Sequence, residues 1–462
     1  MTLRKFIGDR AFYRRILKIA VPVMIQMGIT NLVNLVDNIM VGNLGTESMS
    51  GVSIVNQFMF VFNLLIFGAV SAAGIFSAQF FGRGDVEGVR YTFRFKILVN
   101  TIATVISIAL FLLLSTPLIS GFLHASDSTG DLALALSEGR DYLFIMLIGL
   151  LPYSLSQAYS SSMRETKEVV PPMVASVIAV FTNLILNYVL IFGKLGFDPL
   201  GVRGAAIATV ISRFFELAFL LIFAYTHKSR CPYLVGALRS LRIPRRLFLS
   251  IIYRGLPLMM NEFLWSLAIT FRNQCYSTRG LDVVAGQNIS ITIWNLFSVF
   301  FLSICTSISI IVGAELGAGD IDKAKDTARK MITFSVFFGI AIGAIMIALS
   351  GVFPLLYNTS DEARDIASHM IVFSALAMPF TAMAHSAYYT IRSGGKILGT
   401  IILDSVYMWT VAVTFAFILT KFTSLDIYCV FALCQITELT KAVLGLILLK
   451  KIKWARRLEK AE

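Results

Sequence analysis

Charge is scarce in this chain of 462 residues. Only 15% of its positions are Asp, Glu, Lys or Arg, where a soluble chain of this length carries roughly a quarter. Histidine is scarcer, with four copies. No HExxH, nucleophile elbow or phosphate-binding glycine loop occurs, and no Ser, His and Asp converge. A membrane enzyme is therefore not expected, and no cofactor is called for. Nor is there a nucleotide-binding module, so uphill work must draw on an ion gradient. The five cysteines (Cys231, Cys275, Cys305, Cys429 and Cys434) are scattered and odd in number. They form neither a disulfide framework nor a metal-ligand cluster. A cleavable signal peptide is not expected, because the apolar stretch after Lys18 is too long for one and lacks a small-residue cleavage site.

Apolar sequence is abundant. Hydrophobic residues make up 57% of the chain and mean hydropathy is +0.78. Stretches of about 18 to 25 apolar residues recur, each long enough to cross a bilayer as a helix. They run without alternation, which excludes a barrel. We predict an all-α polytopic protein of about twelve spans, centred near residues 30, 65, 105, 150, 180, 213, 263, 298, 338, 378, 409 and 437. The net charge of +13 sits in alternate loops, at Arg4, Lys5, Arg10, Arg14, Arg15 and Lys18 and then at Arg83, Arg90, Arg94 and Lys96. It returns at 228–246, 323–330 and 450–460. Between Lys96 and Arg140 there is no Lys or Arg. This pattern places both termini in the cytoplasm and marks anionic headgroups, rather than nucleic acid, as the partner of the charge.

The chain also repeats itself. Adding 235 carries Pro22 to Pro257, Asn38 to Asn273, Gly45 to Gly280, Gly51 to Gly286 and Gly82 to Gly317. Gly84-Asp85 falls on Gly319-Asp320. Later spans repeat loosely, with Met163-Arg164 resembling Ile391-Arg392. A basic, weakly apolar stretch at 227–247 divides an N-lobe (1–226, six spans) from a C-lobe (248–462, six spans). Six is even, so the repeats are parallel and related by a pseudo-two-fold axis along the membrane normal. A tandem chain encloses its own cavity, which favours a monomeric transporter over a channel built around a shared pore.

Pro22 and Pro257 sit early in spans one and seven, as static kinks or as hinges. Gly313/Gly317 and Gly339/Gly343 read as close helix packing. Ionisable groups within spans are costly and mark function by default. Asp37 lies roughly 28 Å beyond Lys18 along its helix. Asn183 and Asn187 share one face of span five at i, i+4, and Thr209 lies roughly 10 Å down span six. A carboxylate, two amides and a hydroxyl thus reach a similar depth, a hard-oxygen set suited to Na⁺ or a proton. Interhelical hydrogen bonding is the plainer reading of the amides and the hydroxyl. Thr30, Gln57, Arg213, Glu262, Arg272 and Asp404 are candidates to line a substrate cavity, with Asp404 also a possible second protonation site. Arg213 pairs with Glu216 on the plainer reading, Arg272 snorkels outward, and Glu438 and Lys441 neutralise each other at i, i+3. His385 reads as a packed histidine rather than a proton relay.

The stretch Asn183 to Arg213 closely resembles the signature of the MATE (multidrug and toxic compound extrusion) transporters. VDNIMVGNLG and the paired G-x-G-D turns resemble that family too, and the likeness runs over nearly the whole chain. The resemblance implies the bacterial type, of the wider multidrug/oligosaccharidyl-lipid/polysaccharide flippase superfamily: a V-shaped pair of six-helix bundles that exports organic, often cationic, compounds in exchange for Na⁺ or H⁺. Asp37 matches the family's N-lobe acid, and Pro22 its bending proline. Asn183, Asn187 and Thr209 match its N-lobe cation ligands, with Asn187 an aspartate in some members. The glutamate of the drug-binding C-lobe in other branches falls further along span seven than Glu262, and no acid stands in the middle of span ten, so the resemblance does not carry cationic-drug recognition by that lobe. The expectation is an antiporter in a bacterial inner membrane, in which loading of Asp37 bends span one at Pro22 and displaces substrate. The alternative is a flippase or exporter of a lipid-linked or anionic substrate.

Overall fold

The computed structural model describes residues 6–42, 44, 46–123, 132–357 and 359–458. Gly45 of the repeat and Arg4, Lys5 and Lys460 of the basic clusters lie outside these residues, as does the side chain of Asn38. Among the described residues, twelve helices are long and apolar enough to cross a membrane. The first six are α1 (Arg10–Gly42), α2 (Thr46–Gly82), α3 (Val86–Leu123), α4 (Leu132–Glu165), α5 (Val170–Phe192) and α6 (Gly201–Thr226). They are followed by α7 (Arg245–Ser277), α8 (Leu281–Ala318), α9 (Ile321–Leu349), α10 (Asp361–Ser393), α11 (Ile397–Phe422) and α12 (Ile427–Lys451). Each closes its own backbone hydrogen bonds, as hydrocarbon demands. Large apolar side chains such as Leu113 and Ile148 stand exposed, as lipid-facing residues do.

The helix ends follow local chemistry. α5 opens on Pro171-Pro172, where a missing N–H costs nothing. Ser360 and Asp426 cap α10 and α12 through the backbone N–H groups of Ala363 and Cys429. The two G-x-G-D turns have the same form. Gly84 (φ +76°) and Gly319 (φ +92°) take the left-handed conformation, Asp85 N–H donates to Phe80 O, and Asp320 N–H to Glu315 O. These are Schellman ends, which favour glycine.

The residues form two compact units. One holds Ile25–Ser77 and Val86–Gly255, and the other Met1–Met24, Ala78–Asp85 and Leu256–Lys460. The boundary therefore falls within α1 just past Pro22, and within α7 just before Pro257. In the first unit α6 packs on α4 and α5, and α3 on α4, around a core containing Phe62, Ile66, Leu143 and Ile191. In the second, α10 packs on α8, α9 and α12, with Phe301, Met346, Ile371 and Met378 between them. Here too the last turn of α2 crosses α8. A Cβ on Gly82 would meet Ala314 O at 1.9 Å, one on Gly317 would meet Gln79 O at 1.9 Å, and one on Gly313 would meet Ala78 Cβ at 3.0 Å. Each partner is the other's mate under the 235-residue shift, so the repeat meets itself here across a local two-fold. Gly343 serves α9–α10 packing in the same way, with Ala375 O 2.5 Å from its would-be Cβ.

The 227–247 stretch is more than a spacer. It carries single 3₁₀ turns at Pro232–Leu234 and Ala237–Arg239 and buries Cys231, Tyr233 and Ala237. Arg90 donates to Tyr233 O, and Arg94 to Ala237 O and Arg242 O. Lys96 is fully buried and bonds Glu165, Ser161 and Ser162. Arg94 and Lys96 are therefore structural clamps rather than headgroup ligands, because backbone carbonyls and a carboxylate within the protein claim them first. After α12, Trp454 and Leu458 are buried. Gln79 and Arg83 hold this tail through Arg456 O, Leu458 N–H and Leu458 O.

Candidate functional site

Small residues set up the site. On α6, Gly204, Ala205, Ala206 and Ala208 are buried, and a Cβ on Gly204 would meet Leu190 O of α5 at 2.7 Å. Two helices this close let short side chains span the gap, so Asn183 and Asn187 on α5 meet Thr209 on α6. Asn187 Nδ2 donates to Asp37 Oδ1 at 2.7 Å and to Asn183 Oδ1 at 3.2 Å. Asn183 Nδ2 donates to Thr209 Oγ1 at 3.1 Å, and the Thr209 hydroxyl donates to Ala205 O at 3.0 Å.

Two features give this cluster its chemistry. Asn187 Oδ1 is buried without a hydrogen-bond partner among the described residues. The Asn183 amide also puts one atom 3.0 Å from each Asp37 oxygen. Taken as nitrogen, it donates to Asp37 while the amide oxygen accepts from Thr209. Carboxylate, amide and hydroxyl oxygens form a hard donor set of charge −1, which fits Na⁺ or a single proton. Among the described residues no three His, Cys, Asp or Glu gather as a divalent metal would require.

A cavity of about 60 Å³ adjoins the cluster. Thr209 lines it, with Met59, Asn63, Met146, Tyr153 and Arg213. The Arg213 guanidinium lies over the Tyr153 ring, 5.0 Å from its centroid, and donates to Glu216 Oε2 at 3.1 Å, the i, i+3 pair expected from the sequence. Thr30 donates to Gln26 O of its own helix at 2.8 Å, and Gln57 is exposed on α2.

Glu262, Arg272 and Asp404 lie in the other unit, each beside an opposite charge. Tyr388 donates to Glu262 at 2.9 Å, and Arg392 stands 3.6 Å from it. Asp404 accepts from Lys441 at 3.0 Å and from Asn261 at 3.1 Å. Arg272 turns inward to Glu438, at 4.0 Å, instead of snorkelling. Glu438 and Lys441 thus take partners on other helices rather than each other. Helix spacing brings i and i+3 near, but a facing helix offers better-directed partners. A π-helical stretch, Ile402–Val406, contains Asp404. Such bulges re-aim side chains, and the sequence carries no sign of this one. His385 Nδ1 donates to Thr381 O at 2.9 Å, and the ring packs edge-on against Phe301.

Twelve membrane helices in a duplicated chain define a multi-pass transporter. The MatE family model matches residues 22–189 and again 257–419, two stretches that open on the repeat mates Pro22 and Pro257. The chain belongs to the MATE family, and is a transporter rather than an enzyme. It is 23% identical over 447 residues to the probable multidrug resistance protein NorM of Thermotoga maritima, covering 96% of this chain and 93% of that protein. It is also 23% identical over 424 residues to the probable multidrug resistance protein YoeA of Bacillus subtilis, covering 88% and 86%. Among solved structures, the MATE transporter VcmN of Vibrio cholerae, in a mutant form, has a TM-score of 0.85 at 17% identity, covering 96% of this chain and 98% of that one. A MOP superfamily transporter from Pyrococcus furiosus has a TM-score of 0.82 at 22% identity, covering 97% and 98%. These likenesses show a shared fold.

Proposed function

We propose that this transporter exports organic compounds, cationic or amphipathic, in exchange for Na⁺ or H⁺ taken up at Asp37. The observation that carries the reading is the hydrogen bond of Asn187 to Asp37, with Asn183 and Thr209 linked in turn behind Asn187 and with Asn187 Oδ1 left without a partner among the described residues. Loading removes the charge that anchors α1 to α5, and the helix then bends near Pro22, where the unit boundary falls. Pro257 is the corresponding hinge in α7. The moving bodies are the two six-span lobes, 1–226 and 248–462, except that Met1–Met24 and Ala78–Asp85 travel with the second and 248–255 with the first, and the protein works as a monomer in a bacterial inner membrane with both termini in the cytoplasm. The multidrug names of the bacterial relatives support the substrate class.

The test is efflux from proteoliposomes with Na⁺ and pH gradients imposed separately, against cationic, neutral and anionic compounds. Asp37→Asn is expected to abolish gradient-driven efflux of cations. Unchanged efflux by that variant would place the coupling site elsewhere. Arg213 on the cavity wall favours a second reading, export of an anionic or lipid-linked substrate. Efflux confined to anions would establish that reading instead.

A further inference from the structure

α1 passes from one unit to the other between Met24 and Ile25, and Gln26 follows at once. Its amide is engaged at both ends. Nε2 donates to Ser176 Oγ of α5 at 2.8 Å, and Oε1 accepts from Arg164 of α4 at 3.5 Å. Ser176 gives its own proton to Glu216 Oε1 at 3.2 Å, and Glu216 Oε2 accepts from Arg213 at 3.1 Å. Ser176 and Glu216 are 7% and 3% exposed. A serine has one proton to give, so the direction is set throughout: Gln26 donates to Ser176, Ser176 to Glu216, and Arg213 to Glu216 from the cavity side. Stranding any of these buried groups is costly, so the run holds together or rearranges as one.

We propose that Gln26 is a positioning residue for transport, seating α1 on the cavity through Ser176 and Glu216, so that substrate contact at Arg213 is transmitted to α1. A ligand oxygen that draws the Arg213 fork toward itself leaves Glu216 a less compensated carboxylate. Glu216 then holds Ser176 more tightly, and Ser176 holds Gln26. Asp37 lies eleven residues further on, about 16 Å by helical rise. α1 is therefore held at two points: substrate tightens the inner one and the coupling cation releases the outer one. Opposed effects on one helix are what exchange requires. The inference rests on the cation reading at Asp37 for its purpose, but its test does not.

The test measures the Kd of purified transporter for rhodamine 6G, a cationic dye whose ester oxygen can accept from Arg213, by fluorescence polarisation, with and without saturating Na⁺ or at low pH. Gln26→Ala is expected to reduce the cation-induced change in Kd by about fivefold, within the usual range of a coupling between sites. Glu216→Gln should do the same, and the double variant should be no worse than either single one. Ser176→Ala breaks the run at its middle link and carries the same expectation if a Gln26 variant fails to fold. Additive losses, or a cation effect that survives Gln26→Ala intact, would overturn the proposal. Asp37→Asn separates the two ideas: if Kd still responds to cations in that variant, the cation site is misplaced, while the non-additivity of Gln26 and Glu216 is judged on its own.

Discussion

At the scale of residues, the chain contains ionisable groups in two arrangements. Asp37 accepts from the neutral amide of Asn187, and on the proposed reading a proton or a cation completes it. Asp404 already has its cation, Lys441, at 3.0 Å, and both side chains are buried. Removing one member of a buried pair costs about 3–5 kcal/mol, whereas replacing both by well-packed neutral groups is often close to neutral. Lys441→Met is accordingly expected to lower thermal stability in detergent sharply, and Lys441→Met with Asp404→Asn to recover most of the loss. Melting temperatures from intrinsic fluorescence would decide it. The kinds of residue at the Asp37 site were legible in the sequence, because depth along a helix follows from counting. Gln26 was not, since its role depends on Ser176 and Arg164, about 150 and 138 positions away.

At the scale of elements, glycine decides where helices meet. The crossing of α2 and α8 leaves no room at Gly317, where an added Cβ would fall 1.9 Å from a backbone oxygen. Gly317→Ala is expected to prevent correct assembly, read as loss of monodisperse protein. Gly319→Ala meets nothing within 4 Å and should cost only about 1 kcal/mol, the penalty of a left-handed alanine. The G-x-G-D repeat announced these turns. It could not announce the π-helical stretches Ile402–Val406 and Met408–Val413, because no proline or glycine marks them.

At the scale of the whole molecule, orientation is open to a direct experiment. Cys429 is exposed near the start of α12, while the other four thiols are buried. A membrane-impermeant maleimide applied to intact cells at pH 7.5 is expected to label Cys429 and spare Cys231. Labelling of Cys429 only after lysis would reverse the proposed topology.

Twelve spans, the duplication and the kinds of polar residue gathered near Asp37 were all determined by the sequence. Hydrocarbon forces each apolar segment to satisfy its own backbone, so composition and length suffice to predict a helix. Choice of partner was decided by tertiary structure. Lys441 went to Asp404 rather than Glu438, Lys96 to Glu165 rather than to lipid, and the stretch after α6 folded back onto α3. Those outcomes depend on distances between helices, and such distances depend on which side chains leave room for close approach.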